Sequence, residues 1–209
     1  GQHPMRHTAP PPVRGRLVAP DLPLTLDRPH VQRDTVRAWC PPQWLRGGSF
    51  EEAYSITGHT LHFANGSILE FLSFSQDPQV HAGERLHFVH FDEEPPRPIW
   101  AENMARLARG LYLGEWWMTY VPVAGLAWIE QELYRPALEG SGPFGLHEVT
   151  IWENAHNLPE GFIEALQQSF REDEQKVRLY GQYGIREGLV FDLFGADHVV
   201  EVGEGGHGF

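Results

Sequence analysis

Residues 86 to 93 read Leu86-His87-Phe88-Val89-His90-Phe91-Asp92-Glu93, and Glu94 and the pair Pro95-Pro96 follow at once. A short apolar run bounded by turn residues predicts a buried strand. In an open α/β sheet such a strand delivers its last residues to the carboxyl edge, where ligands bind. Two acids at that edge have a chemical logic. In nucleotide hydrolysis one carboxylate holds magnesium while a neighbour polarises the attacking water. On that reading Asp92 faces the metal and Glu93 is the general base. The same string also suits the start of a solvated loop, and it recurs by chance often enough that alone it does not choose between the two.

The flanking sequence alternates between strand and helix patterns. Arg16 to Ala19 is a short apolar strand ended by Pro20, and Pro29 to Trp39 has helical spacing of Val31, Val36 and Trp39 before Pro41-Pro42 stops it. From Thr60 to Phe74 the period falls to two around Asn65-Gly66, the dipeptide best suited to a tight hairpin. Ile99 to Arg109 predicts a helix, Trp116 to Val121 a buried strand, Leu126 to Tyr134 a helix and His147 to Trp152 a strand. Asn157-Leu158-Pro159-Glu160 predicts the opening of a long amphipathic helix reaching Tyr180. Strands alternating with helices of about ten residues predict an α/β fold, a mostly parallel sheet covered on both faces with one inserted antiparallel hairpin.

Composition bounds the rest. The 209 residues are 41% apolar and 12% aromatic, enough for a substantial core. The single cysteine, Cys40, excludes an internal disulfide and any cysteine-based zinc site. No stretch approaches the ~20 continuous apolar residues of a membrane span, and no secretory leader is expected. Net charge is −12, and Lys176 is the sole lysine. The surface as a whole therefore repels a polyanion, so any nucleic-acid contact must be local.

Six segments resemble the large terminase subunit of tailed phages, in matching order and spacing. They are GRLVAPD (15 to 21), GGSFEEAYS (47 to 55), LHFANGSILEFLSFSQD (61 to 77), FVHFDEEPP (88 to 96), WWMTYVPVAGLAW (116 to 128) and RLYGQYGIREGLVFDLF (178 to 194). The resemblance implies a RecA-like P-loop NTPase core that hydrolyses ATP to drive double-stranded DNA into a procapsid, with portal protein and small terminase subunit as partners. It further implies a homo-oligomeric ring in the assembled motor, no membrane, an infected bacterium's cytoplasm as the setting, and an endonuclease activity in the whole protein. In that family Asp92 and Glu93 would be the Walker B pair, with Asp92 holding Mg2+ and both serving Mg2+-ATP. Thr119 would lie in the segment coupling hydrolysis to movement. The expected organisation is an extended lead-in over residues 1 to 14, a partial ATPase core over 15 to 180 with a helical lid part at 157 to 180, and a linker over 181 to 209.

Three features depart from that family. The coupling segment, usually Thr-x-Thr-Pro, is here Thr119-Tyr120-Val121-Pro122, without the second hydroxyl. The Arg-Gly that often precedes the Walker B strand is Ala82-Gly83, with Arg85 two residues later as a substitute finger, and Arg106 and Arg109 as weaker candidates expected to pair with nearby acids. No GxxxxGK[ST] loop occurs. The expectation is that the first strand and P-loop are absent because they would precede Arg16, and that exposed sheet edges make the chain by itself prone to aggregate or dependent on a partner. Asp192 and Asp197 are expected to be linker residues rather than nuclease ligands.

Other groups are read more plainly. His87 and His90 are three apart on a strand and point to opposite faces, so they cannot share one ion; His59 and His62 diverge likewise. Trp116, Trp117, Trp128 and Trp152 could form a base-stacking platform, but their apolar setting favours core packing. The alternative to a motor ATPase is a non-hydrolysing docking module of the packaging machine. A helicase of the same broad fold is disfavoured by WMTYVP (117 to 122) and DEEPP (92 to 96), which look like terminase.

Overall fold

In the computed structural model, which describes residues 11–21, 31–109 and 112–183, the chain forms two compact units, Gly1–Val121 and Pro122–Phe209. The strands of the first unit are β1 (Arg14–Ala19), β2 (Tyr54–Ser55), β3 (Thr60–His62), β4 (Ile68–Ser73), β5 (Phe88–Asp92), β6 (Ala108–Arg109), β7 (Tyr112–Leu113) and β8 (Glu115–Thr119). Its helices are α1 (Val31–Trp39), α2 (Phe50–Ala53) and α3 (Arg97–Met104). Six strands form one sheet in the order β2-β3-β4-β1-β5-β8, and β6 pairs with β7. β1 runs parallel to both β4 and β5, and β5 parallel to β8. The expected hairpin is β3–β4, antiparallel across Asn65-Gly66, and its second strand joins the parallel set beside β1.

Alternation along the strands builds a core on each face. On one, Leu61, Leu69 and Phe71 meet Leu45, Phe50, Ala53 and Tyr54, with Leu17 and Phe88 packed against them. On the other, Val18, Val89 and Phe91 meet Leu86, Ile99 and Leu107, with Trp116 and Met118 alongside. Phe71 and Phe91 are essentially without solvent contact, and each such burial contributes about 2 kcal/mol.

The central strand also buries a charge that no pattern in the sequence announces. Arg16 is 2% exposed. Its Nε and Nη2 donate to Glu70, and Nη1 donates to the carbonyl of His81 and to Asn103 Oδ1 at 2.9 and 2.8 Å. Asn103 in turn bonds His81 Nδ1 and donates to the Ile99 carbonyl. The three guanidinium nitrogens thus all have acceptors, which is the condition for keeping such a group out of water.

Four elements correct the sequence reading. The helix expected to reach Arg109 stops at Met104, because the Leu86 and Gly114 N–H groups draw the carbonyls of Arg106 and Leu107 toward the sheet, and Ala108–Arg109 pair with β7. The strand expected at Trp116 to Val121 is β8, a terminal strand of the sheet whose residues alternate between exposed and half-buried. β5 is the strand next to it.

In the second unit the strand expected at His147 to Trp152 is replaced by a 3-10 helix, Ile151–Asn157, because Glu153 folds back to accept the Thr150 N–H at 3.0 Å. The long helix expected up to Tyr180 is two pieces, one at Phe162–Ser169 and one at Glu172–Arg178. Phe170 between them is extended, and Gln175 Nε2 satisfies the freed carbonyls of Gln167 and Phe170. Upstream, Ala127–Leu138 is helical throughout, with a π turn at Glu130–Tyr134.

The tryptophans divide. Trp116 packs against the second core cluster and edge-on to Trp100, but Trp117 and Trp152 are 43% and 37% exposed, so core packing does not hold for all of them. Among the described residues no helix is long and apolar enough to cross a membrane. Asp192, Asp197 and most of the expected linker lie outside the described residues, as do the first ten residues of the lead-in.

Candidate functional site

The carboxyl end of β5 is where the chain concentrates chemistry. Asp92 is its last residue and pairs across the sheet with Thr119, the last residue of β8. Parallel pairing with matched ends brings two residues 27 apart in sequence to one edge. Phe88, His90 and Asp92 alternate onto one face of β5, and Trp117 and Thr119 onto the same face of β8. Val89 and Phe91 go to the opposite, buried face.

On this face the polar atoms form a chain. Thr119 Oγ1 donates to Asp92 Oδ1 at 3.3 Å, and His90 Nε2 lies 2.8 Å from the same hydroxyl oxygen. Behind them Trp117 stacks on His90 at 5.3 Å and on Phe88 at 5.4 Å. Burial lowers the pKa of His90, against the opposing pull of Asp92.

Glu93 stands immediately beyond the strand with φ at 72°. This left-handed conformation is uncommon outside glycine and marks stored strain. It is held there by its own N–H, which donates to the Thr119 carbonyl at 2.8 Å. The residue is exposed, yet partial desolvation of its carboxyl raises the pKa. A bond from the Val121 backbone opposes that rise, and repulsion from Asp92 and Glu94 reinforces it. Glu94 and Pro95 are buried, so of the three consecutive acids the first two remain accessible at the edge.

The other predicted residues fall elsewhere. Arg85 is exposed and precedes β5, on the wall of a cleft with Arg14, Gly83 and Glu84 at the amino end of the strands. It is therefore separated from Asp92 by the length of the strand. Arg106 pairs with Glu102, as expected of a surface arginine. Arg109 belongs to β6, outside the six-stranded sheet that carries this edge. His87 accepts the Arg14 N–H at the far end of the strand, so the expected divergence of His87 and His90 is present.

The donor set suits magnesium in one mode and not in another. Among the described residues no group of three or more His, Cys, Asp or Glu converges on one point, which argues against a closed protein cage. Magnesium does not need one: it is bound through one or two carboxylates, waters and substrate phosphates. Asp92, a hard oxygen ligand oriented by a hydroxyl, fits that mode.

His90 is a member of this site that sequence reasoning misses. The signal is available, since period-two alternation places it on the face of Asp92, but a reading of the histidines as metal ligands alone passes over it.

No protein-family model matches the chain, and no curated protein does. Solved structures do. The chain is similar to the large terminase from a thermophilic bacteriophage in its second crystal form, at 14% identity and a TM-score of 0.57, over 90% of this chain and 45% of that one. The same terminase in complex with ADP, in a third crystal form, matches at 17% identity and a TM-score of 0.53, again over 90% and 45%. At these identities the likeness establishes the fold, a mixed α/β unit with a mostly parallel six-stranded sheet. The chain spans less than half the length of those terminases.

Proposed function

We propose that this chain is the ATPase part of a viral DNA-packaging motor, a large terminase subunit whose hydrolysis of ATP drives double-stranded DNA into a procapsid. The observation that carries the reading is the joint placement of Asp92, Glu93 and Thr119 at the carboxyl edge of two parallel strands, on a fold shared with phage large terminase structures, one of them in complex with ADP.

The geometry supports a division of labour. Asp92, with Oδ1 engaged by Thr119, would hold Mg2+. Mg2+ held there would supply positive charge against the phosphates being cleaved. Glu93 accepts a proton from water as the water oxygen attacks the γ-phosphorus, and ADP leaves. A carboxyl whose pKa is raised is a better base for that step than an ordinary glutamate, because its proton affinity lies nearer the operating pH. Thr119 touches Asp92 and, through its carbonyl, the Glu93 backbone, so a change in nucleotide state at the edge is felt directly by β8.

Two components come from outside the described constellation. The sequence contains no P-loop, so the phosphates need a phosphate-binding segment joined to or docked on this unit. Arg85, a strand length from its own Asp92, fits a finger offered to a neighbouring protomer in a ring. The setting is the infected host's cytoplasm, with portal and small subunit as assembly partners and a nuclease function in the whole protein.

The test is a packaging assay with purified procapsids, portal and linear double-stranded DNA, using the chain alone and the chain extended at its amino end by a GxxxxGK[ST] segment. DNA-stimulated ATP consumption and protected DNA with the extended form support a motor. ATP-independent binding to portal by both forms, with no consumption by either, assigns the chain to docking instead.

A further inference from the structure

We propose that His90 is a positioning residue for the cation carboxylate: by donating from Nε2 to the Thr119 hydroxyl, it fixes that hydroxyl's proton on Asp92 and so orients Asp92 toward the metal. The proposal rests on the nucleotide-hydrolysis reading of this edge.

One arrangement satisfies both contacts at once. A carboxylate can only accept, so the Thr119 hydroxyl, which has a single hydrogen, spends it on Asp92 Oδ1. His90 Nε2, 2.8 Å from the same oxygen, must then be the donor. His90 therefore carries a proton on Nε2, and the direction runs from imidazole to hydroxyl to carboxylate.

The imidazole is itself held. Its plane lies 21° from that of Trp117 at a centroid distance of 5.3 Å, and Trp117 rests equally on Phe88. Phe88 in turn occupies the space where a Cβ on Gly15 would be, 2.0 Å from its Cζ. An unbroken series of contacts thus runs from the central strand to the hydroxyl that bonds Asp92. A threonine at the end of a terminal strand would otherwise be free to turn its hydroxyl to solvent. With His90 in place, the Thr119 hydroxyl is held on Asp92 Oδ1 and the carboxylate keeps one orientation. Outer partners of this kind set metal affinity by orienting the ligand that touches the ion.

The experiment uses the 209-residue chain and Mn2+ as the probe. Side-chain 15N spectra, with His90 assigned by loss of its signal in His90→Gln, should show a protonated Nε2. Mn2+ titration followed by electron paramagnetic resonance should give a Kd raised roughly tenfold by His90→Ala. His90→Gln, whose amide can still donate, should recover most of that loss. Thr119→Val should match His90→Ala, and the double variant should be no worse than either, because both remove one relay. An Nδ1–H tautomer, or wild-type Mn2+ affinity in His90→Ala while Asp92→Asn abolishes binding, overturns the proposal and leaves the cation site standing. Undiminished Mn2+ binding in Asp92→Asn overturns the cation reading of the edge, and the proposal with it.

Discussion

The backbone N–H of Glu93 donates to the carbonyl of Thr119 at 2.8 Å, and this bond closes a residue whose φ is 72° onto the end of the neighbouring strand. The strain belongs to the backbone and not to the carboxylate. A residue without a Cβ should relieve it. Glu93→Gly should therefore be more stable than Glu93→Ala by about 1 kcal/mol, the reverse of the usual order, in which glycine is the less stable of the two. Chemical denaturation of the two variants measures the difference, and a more stable alanine variant would mean the left-handed conformation is not retained.

The raised pKa of Glu93 sets the acid limb of the rate. Hydrolysis needs the ionised carboxylate, so kcat/KM should fall as pH drops through the folded pKa of Glu93, which lies above the ordinary value of about 4.3. The linkage sign is opposite for stability. A carboxyl whose pKa rises on folding binds a proton more readily in the folded state, so Glu93→Gln should not destabilise the fold at neutral pH. A pH–rate profile together with thermal melts of Glu93→Gln checks both signs.

His81 gives the fold a sensitivity to acid. It is fully buried, with Nε2 at 3.2 Å from the Ser73 carbonyl and Nδ1 at 3.0 Å from Asn103 Nδ2. The first contact needs N–H at Nε2 and the second needs a lone pair at Nδ1, so the ring is neutral. Asn103 cannot turn to accommodate a second N–H, because its Oδ1 already accepts from Arg16. Burial lowers the pKa first, the Ser73 bond opposes it, and Arg16 adds to it. Stability should thus be full above the unfolded value near 6.5 and be lost as pH falls below it, by up to about 1.4 kcal/mol per pH unit. His81→Gln, which keeps a donor and an acceptor, should flatten that slope in denaturant midpoints taken on either side of that value.

Gly15 is constrained by space, not by its dihedral angles. A Cβ there would sit 2.0 to 2.5 Å from three atoms of the Phe88 ring. Gly15→Ala should push that ring aside, disturb its stack on Trp117 and cost about 2 kcal/mol. Denaturant midpoints and the Trp117 contribution to fluorescence, isolated with Trp117→Phe, read the two effects.

Much of this fold is legible in the sequence because its signals are local. Asn65-Gly66 specifies its own turn, and the run from Phe88 to Asp92 specifies a strand ending in acids. What is not legible depends on partners elsewhere in the chain. The 3-10 turn at Ile151 is an exception: the Thr150–Glu153 capping box that sets it is local, and the strand reading passes over it. The break between the helices Phe162–Ser169 and Glu172–Arg178 depends on Gln175 supplying a substitute for lost helix bonds. At the site, Asp92, Glu93 and Thr119 are legible as residue types, but their convergence needs the β5–β8 register. Neither the left-handed backbone at Glu93 nor the buried charge of Arg16 has a signature in composition or period.

The most direct measurement is magnesium-dependent ATP hydrolysis by the chain joined to a phosphate-binding segment, comparing the wild-type sequence with Glu93→Gln and following ATP binding in parallel. Glu93→Gln should still bind ATP with near wild-type affinity but turn it over roughly a hundredfold or more slowly, as expected when a general base is removed. Wild-type turnover in Glu93→Gln would contradict the assignment of the base, and with it the reading of the β5 edge as a hydrolytic site.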